Sequence, residues 1–260
     1  MNRLLCGDAL RIVPTFDEAS LDAVITDPPY SSGGTFRGDR MQTTTKKYQL
    51  TGTSKTYSDF SGDNRDGRSW AFWSTLWMSD CFRVLKTGCP IVVFSDWRML
   101  PLCTDALQAA GFVWRGIAVW DKTEAARPDK GRFRAQAEYL VWGSKGPMAV
   151  DRLDGAETRC LPGVFRAIVR QDDKFHLTGK PTNLMRQVVK ICAPGGTILD
   201  PFMGSGSTGK AAQLEGYPFV GIDLSQHNVD IAQARINGKT LPSSTPTLFT
   251  SDPSPTGYEI

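Results

Sequence analysis

Histidine is nearly missing from this chain, with two among 260 residues, and its six cysteines (6, 81, 89, 103, 160 and 192) form no C-x-x-C pair. No Cys/His group stands at metal-ligand spacing, so the sequence offers neither a metal site nor a disulfide framework, and reduced, mostly buried thiols are expected. No apolar run of about 18 residues occurs. The opening "MNRLLCGD" lacks a signal-peptide pattern, so a soluble, cytoplasmic protein without membrane association is expected. A dominant charge is lacking too. Thirty Lys and Arg against 27 Asp and Glu leave +3, which permits a nucleic-acid partner without requiring one.

What is present is an alternation. Strand-like runs "RLLC", "DAVIT", "PIVVFS", "FVWRGIAVW", "EYLVW", "GTILD" and "YPFVGID" are separated by helical patterns near 9–15, 69–86, 98–110, 181–193, 207–215 and 225–237. This predicts an α/β fold: a doubly wound, mostly parallel, seven-stranded sheet covered on both faces. "FVWRGIAVW" and "EYLVW" have no helix between them and are expected to form an antiparallel pair at one side. One domain over 1–239 is expected, with polar loops at 31–68, 121–136 and 143–175, and a Ser/Thr/Pro-rich, unstructured tail at 240–260. The helix beginning near Ser69 takes that serine as its cap. Its Trp70, Trp73 and Trp77, three and then four positions apart, are read as core.

Two places interrupt this pattern with chemistry. The first is "TDPPY", where the apolar run "DAVI" ends on Asp27, Pro28, Pro29 and Tyr30. Prolines cannot continue a central strand, yet their carbonyls remain free to accept hydrogen bonds. The second is "TILDPFMGSGSTGKAAQLEGYPFVGID", which orders a strand, a glycine turn, a helix and another strand. Gly204, Gly206 and Gly209 satisfy G-x-G-x-x-G, and Asp223, 19 positions beyond Gly204, suits a carboxylate that holds a ribose. A phosphate-binding P-loop ending at Lys210 loses its metal anchor because position 211 is Ala. Asp200, followed by Pro201 and Phe202, would repel a pyrophosphate but attract an ammonium or sulfonium. S-adenosylmethionine carries both cations and no phosphate.

Together "DPPY" and "HLTGKP…LDPFMGSGSTG…GID" resemble the S-adenosylmethionine-dependent methyltransferases that modify exocyclic amines of DNA bases. The order, catalytic block first, resembles the circularly permuted beta group, and the resemblance covers roughly 3–237. It implies a permuted Rossmann-like sheet and S-adenosylmethionine as cofactor. It implies cofactor contacts from Asp8 on the adenine, Asp223 on the ribose and Asp200 near the methionine ammonium. Asp27, Pro201, Phe202, Gly204, Ser205 and Gly206 would line the site, with Thr178 and Lys180 beneath the methionine end. His176 is read as a structural loop histidine. "AEYLVWGSKG" resembles a late hairpin strand of the family.

The resemblance also gives the tetrad its task. The amine's lone pair is delocalised into its ring, and acceptors at Asp27 and the Pro28 carbonyl would draw the nitrogen toward a tetrahedral form. The base must leave the stack of double-stranded DNA to be reached, and Tyr30 offers it an aromatic face. Asp at the head of the tetrad points to adenine N6, because relatives acting on cytosine N4 more often carry Ser there; cytosine N4 is the alternative, and a non-catalytic cofactor-binding module a further one. The target sequence, pairing with a nuclease and oligomeric state, a dimer included, are left open. The basic loop residues Arg37, Arg40, Lys46, Lys47, Lys55, Arg65 and Arg68, with Arg127, Lys130, Arg132 and Arg134, are the candidate DNA contacts.

Overall fold

The computed structural model describes residues 2–30, 65–126, 128–149, 160–168 and 179–238. Thr178, His176, Arg127, the span 31–64 and the tail lie outside the described residues, so the expectations placed on them are not addressed by the structure.

Among the described residues, eight strands form one sheet: β1 (Arg3–Cys6), β2 (Ala23–Thr26), β3 (Pro90–Ser95), β4 (Val113–Asp121), β5 (Ala137–Ser144), β6 (Val164–Arg166), β7 (Ile198–Asp200) and β8 (Phe219–Asp223). Their spatial order is β1-β8-β7-β2-β3-β5-β4-β6. β5 runs antiparallel to β3 and β4, and every other pairing is parallel. The seven expected strands are all there. The eighth, β6, lies inside the segment read as the loop 143–175, where three residues are too few to show a period. Only Phe165 of the three is buried.

The helices are α1 (Ala9–Ile12), α2 (Gly67–Val84), α3 (Leu100–Ala109), α4 (Thr182–Val188), α5 (Ser207–Leu214) and α6 (Gln226–Ile236). The first three pack into one apolar cluster with Val24, Ile91 and Leu199, and the last three into another with Ile25, Val92 and Ile198. Adjacent residues of β2, β3 and β7 thus feed opposite layers, which is why these strands read as continuous apolar runs. Where β2 meets β7, the following helices leave to opposite faces. Such a switch point opens a crevice at the strands' carboxyl ends. Both motifs begin there.

α2 starts two residues earlier than its sequence suggests. Asp66, not Ser69, is the cap: its Oδ1 accepts from the amides of Arg68 and Ser69, and Ser69 Oγ donates to Oδ2 at 2.8 Å. These bonds hold the Asp66 carboxyl below its usual value. The cap moved because a carboxylate takes two amides where a hydroxyl takes one. Trp70 and Trp77 are fully buried, as expected, and Trp73 is half-buried. Of the cysteines, 81, 103 and 192 are buried and 6 and 160 exposed, so half rather than most are enclosed.

Candidate active site

β2 ends at Thr26 and β7 at Asp200, and the Thr26 hydroxyl donates to Asp200 Oδ1 at 2.7 Å. Asp200 is 2% exposed. Its Oδ1 also accepts from the Phe202 amide at 3.1 Å, and its Oδ2 from Thr208 Oγ1 at 2.6 Å. Burial pushes this carboxyl up to about 6 against the pull of those three donors. Asp200 therefore braces the glycine turn from below.

The turn itself is shaped for close approach. Gly206 has φ +76°, and a Cβ there would meet that of Ala232 at 2.8 Å; Gly204 has φ +50° and open space where its Cβ would point. Asp223, at the end of β8, accepts from the Gly204 amide at 3.0 Å through Oδ2 and from Ser225 N and Asn228 Nδ2 through Oδ1. Asp8 follows β1, the next strand, and caps α1 through the Leu10 amide at 3.0 Å. The Gly7 amide donates to the Asp223 carbonyl at 2.9 Å, so the two acidic residues stand side by side at the sheet's carboxyl edge. The open face above Gly204, flanked by Asp223 and Asp8, fits a nucleoside whose ribose and base need acceptors. Lys210 turns away to Gln213 Oε1 and the Ile236 carbonyl, so it does not serve a phosphate loop.

The tetrad lies one strand over. Pro28 is buried, and Asp27, Pro29 and Tyr30 are partly so. Trp70 donates its indole N–H to the Pro29 carbonyl at 2.7 Å, which corrects the expectation that both proline carbonyls are free. The Pro28 carbonyl has no such partner among the described residues. Trp73 and Trp77 pack against Phe202 with ring centroids 5.2 Å and 5.1 Å apart. The helix read only as core thus braces both motifs, the tetrad through Trp70 and the glycine turn through Phe202.

Asp27 Oδ2 meets the Lys180 ammonium at 2.5 Å, while its Oδ1 is buried without a hydrogen-bond partner among the described residues. Lys180 also meets Glu138 Oε2 at 3.3 Å, and Glu138 Oε1 meets Lys122 at 2.6 Å. Lys180 is turned toward these two carboxylates. Burial raises the Asp27 carboxyl; Lys180 opposes that rise and Glu138 adds to it. Burial works against the Lys180 charge, but Asp27 and Glu138 more than offset it and hold its value above the usual lysine range. Glu138 is the residue that sequence reasoning missed, for its strand neighbours mark it only as a polar position.

Two motifs at the switch point, a nucleoside-shaped turn and a carboxylate-headed proline tetrad, define a Rossmann-like methyltransferase class. The N6/N4 profile described as DNA methylase matches residues 21–234. YubD of Escherichia coli (strain K12) is 30% identical over 237 residues, covering 91% of this chain and 90% of that one. Type II methyltransferase M.HinfI of Haemophilus influenzae is 27% identical over 256 residues, covering 91% and 68%. The crystal structure of the M1.HpyAVI–SAM complex has the same fold, with a TM-score of 0.66 at 21% identity, covering 91% and 100%. The chain belongs to the DNA methylase family and is a DNA amino-methyltransferase, acting on adenine N6 or cytosine N4.

Proposed function

We propose that the chain transfers a methyl group from S-adenosylmethionine to the N6 amine of an adenine flipped out of duplex DNA. The observation that carries this reading is Asp27 Oδ1, a buried acceptor without a partner among the described residues, at the head of the tetrad. A buried carboxylate oxygen left unpaired is costly, and an amine N–H is a donor that would satisfy it. When bound, S-adenosylmethionine supplies an electrophilic methyl on its sulfonium.

The chain's own groups do the rest. Asp27 Oδ1 and the Pro28 carbonyl accept hydrogen bonds from the two amine N–H groups, and Tyr30 stacks on the base. Trp70 fixes the direction of the tetrad through Pro29. Asp223 and Asp8 accept from the ribose and the adenine of the cofactor. Asp200 acts from beneath the turn formed by Pro201, Phe202, Gly204, Ser205 and Gly206, as a fixed negative charge toward the ammonium. Thr178 keeps its place at the methionine end on the resemblance alone; Lys180, engaged by two carboxylates, is assigned to the tetrad instead. Holding donor and acceptor in line supplies much of the rate. Cytosine N4 is the alternative because the family covers both amines; Asp at the head of the tetrad supports adenine.

DNA contact is assigned to the hairpin loop between β4 and β5, which leaves the same carboxyl edge. Lys130 and Arg132 are exposed there, Arg134 is partly exposed, and Phe133 stands fully in solvent between the two arginines. Phosphate pairing and base stacking both suit that composition. The test of the catalytic reading is Asp27→Ala, which should bind S-adenosylmethionine as the wild type does and lose methyl transfer to DNA by a hundredfold or more. Near wild-type transfer by this variant would refute the role given to Asp27.

A further inference from the structure

Lys180 is 5% exposed and sits between two carboxylates from separate parts of the sheet. Asp27 follows β2 and Glu138 lies on β5, with β3 between them. The Lys180 ammonium crosses that strand over the ring of Phe94, 5.1 Å from its centroid, and lies 5.8 Å from the centroid of Tyr30. Beyond Glu138 the row continues to Lys122, just after β4. Asp27, Lys180, Glu138 and Lys122 make two negative and two positive charges in alternation. An alternating row offsets the desolvation that a single enclosed charge would suffer.

We propose that Glu138 is a positioning residue for methyl transfer: through Lys180 it fixes the Asp27 carboxylate so that Oδ2 is occupied and Oδ1 is presented to the target amine. The inference rests on the function proposed above. A carboxylate can rotate about its Cβ–Cγ bond and exchange its oxygens. A lysine alone would follow that rotation, because its ammonium sits on a flexible stem. Drawn by the Glu138 carboxylate 3.3 Å away on the far side, an ion pair without a hydrogen bond, and with Glu138 held in turn by Lys122, the ammonium stays in one place. The rotation of Asp27 is then arrested without touching the oxygen that the substrate needs.

The charged groups facing Asp27 are Lys180, Glu138 and Lys122, with Asp200 beside it on β7. Their signs give the two central variants opposite signatures. Glu138→Gln removes a repulsion from Asp27, so the acid limb of the pH–rate profile should move to lower pH. Lys180→Gln removes an attraction, so that limb should move to higher pH.

The experiment measures single-turnover methyl transfer against pH, with saturating S-adenosylmethionine and unmethylated plasmid DNA, and cofactor affinity by calorimetry. Glu138→Gln is expected to slow transfer tenfold or more, with cofactor affinity within threefold of wild type and the acid limb lowered. Lys180→Gln is expected to slow transfer further, with the limb raised. Should Glu138→Gln fail to bind cofactor, Lys122→Met, which removes only the outer pair, carries the test: a slower transfer with the limb raised supports the row. A wild-type rate and profile for Glu138→Gln would overturn the inference. So would a Lys180→Gln variant whose cofactor affinity falls tenfold while its profile is unmoved, since Lys180 would then serve the cofactor. A wild type that transfers no methyl group to DNA would instead overturn the function on which the inference rests.

Discussion

Thr26 donates its hydroxyl to Asp200 at 2.7 Å, and this bond ties the strand that leads to the tetrad to the strand that leads to the glycine turn. Asp200 carries a carboxyl pushed up to about 6 by burial. In the unfolded chain it titrates near 3.9. The folded state therefore holds the proton more tightly. The stability this group contributes is full below about 4 and is lost as pH rises through about 6.

Thr26→Val keeps the shape and removes the donor from a carboxylate that is ionised above its folded value. The variant should lose roughly 1.5–3 kcal/mol of stability at pH 7.5, and less at pH 5, where Asp200 is mostly protonated. Urea unfolding at the two pH values checks this. An equal loss at both would show that the bond does not serve the ionised carboxylate.

Asp223 is joined to the glycine turn by a single bond to Gly204 N and remains half-buried beside Asp8. Asp223→Ala should weaken S-adenosylmethionine binding on the order of tenfold, since a hydrogen bond to a charged group contributes roughly 1.5–3 kcal/mol. Calorimetry that finds unchanged affinity would remove Asp223 from the ribose.

Much of this arrangement was legible because carboxylates at the ends of apolar strands are conspicuous. Asp27, Asp200 and Asp223 each close a run that otherwise reads as core, and all three stand at the sheet's carboxyl edge. What was not legible depends on distant chain meeting in space. Glu138 looks like any polar position in "AEYLVW"; only the antiparallel register of β5 against β3 brings it to Lys180, 42 positions onward in the chain. The task of Trp70 was hidden for a similar reason. Its spacing announces a core residue, which it is, while the indole N–H that reaches Pro29 leaves no trace in a hydrophobic pattern.

The β4–β5 hairpin gives a prediction about salt. Replacing Lys130, Arg132 and Arg134 with Gln should weaken binding to all DNA sequences, and it should reduce the slope of log affinity against log salt by about 0.9 for each phosphate no longer neutralised. A fluorescence-anisotropy series from low to moderate salt reads both. Unchanged affinity and slope would move DNA contact away from this hairpin.

Methylation of adenine N6 by the tetrad is tested most directly on the DNA product. Unmethylated plasmid DNA is incubated with the protein and S-adenosylmethionine, digested to nucleosides and resolved by mass spectrometry. N6-methyladenine should appear with the wild type and vanish with Asp27→Ala. N4-methylcytosine in its place would contradict the base assigned, and DNA left without any methylated amine would contradict the proposed reaction itself.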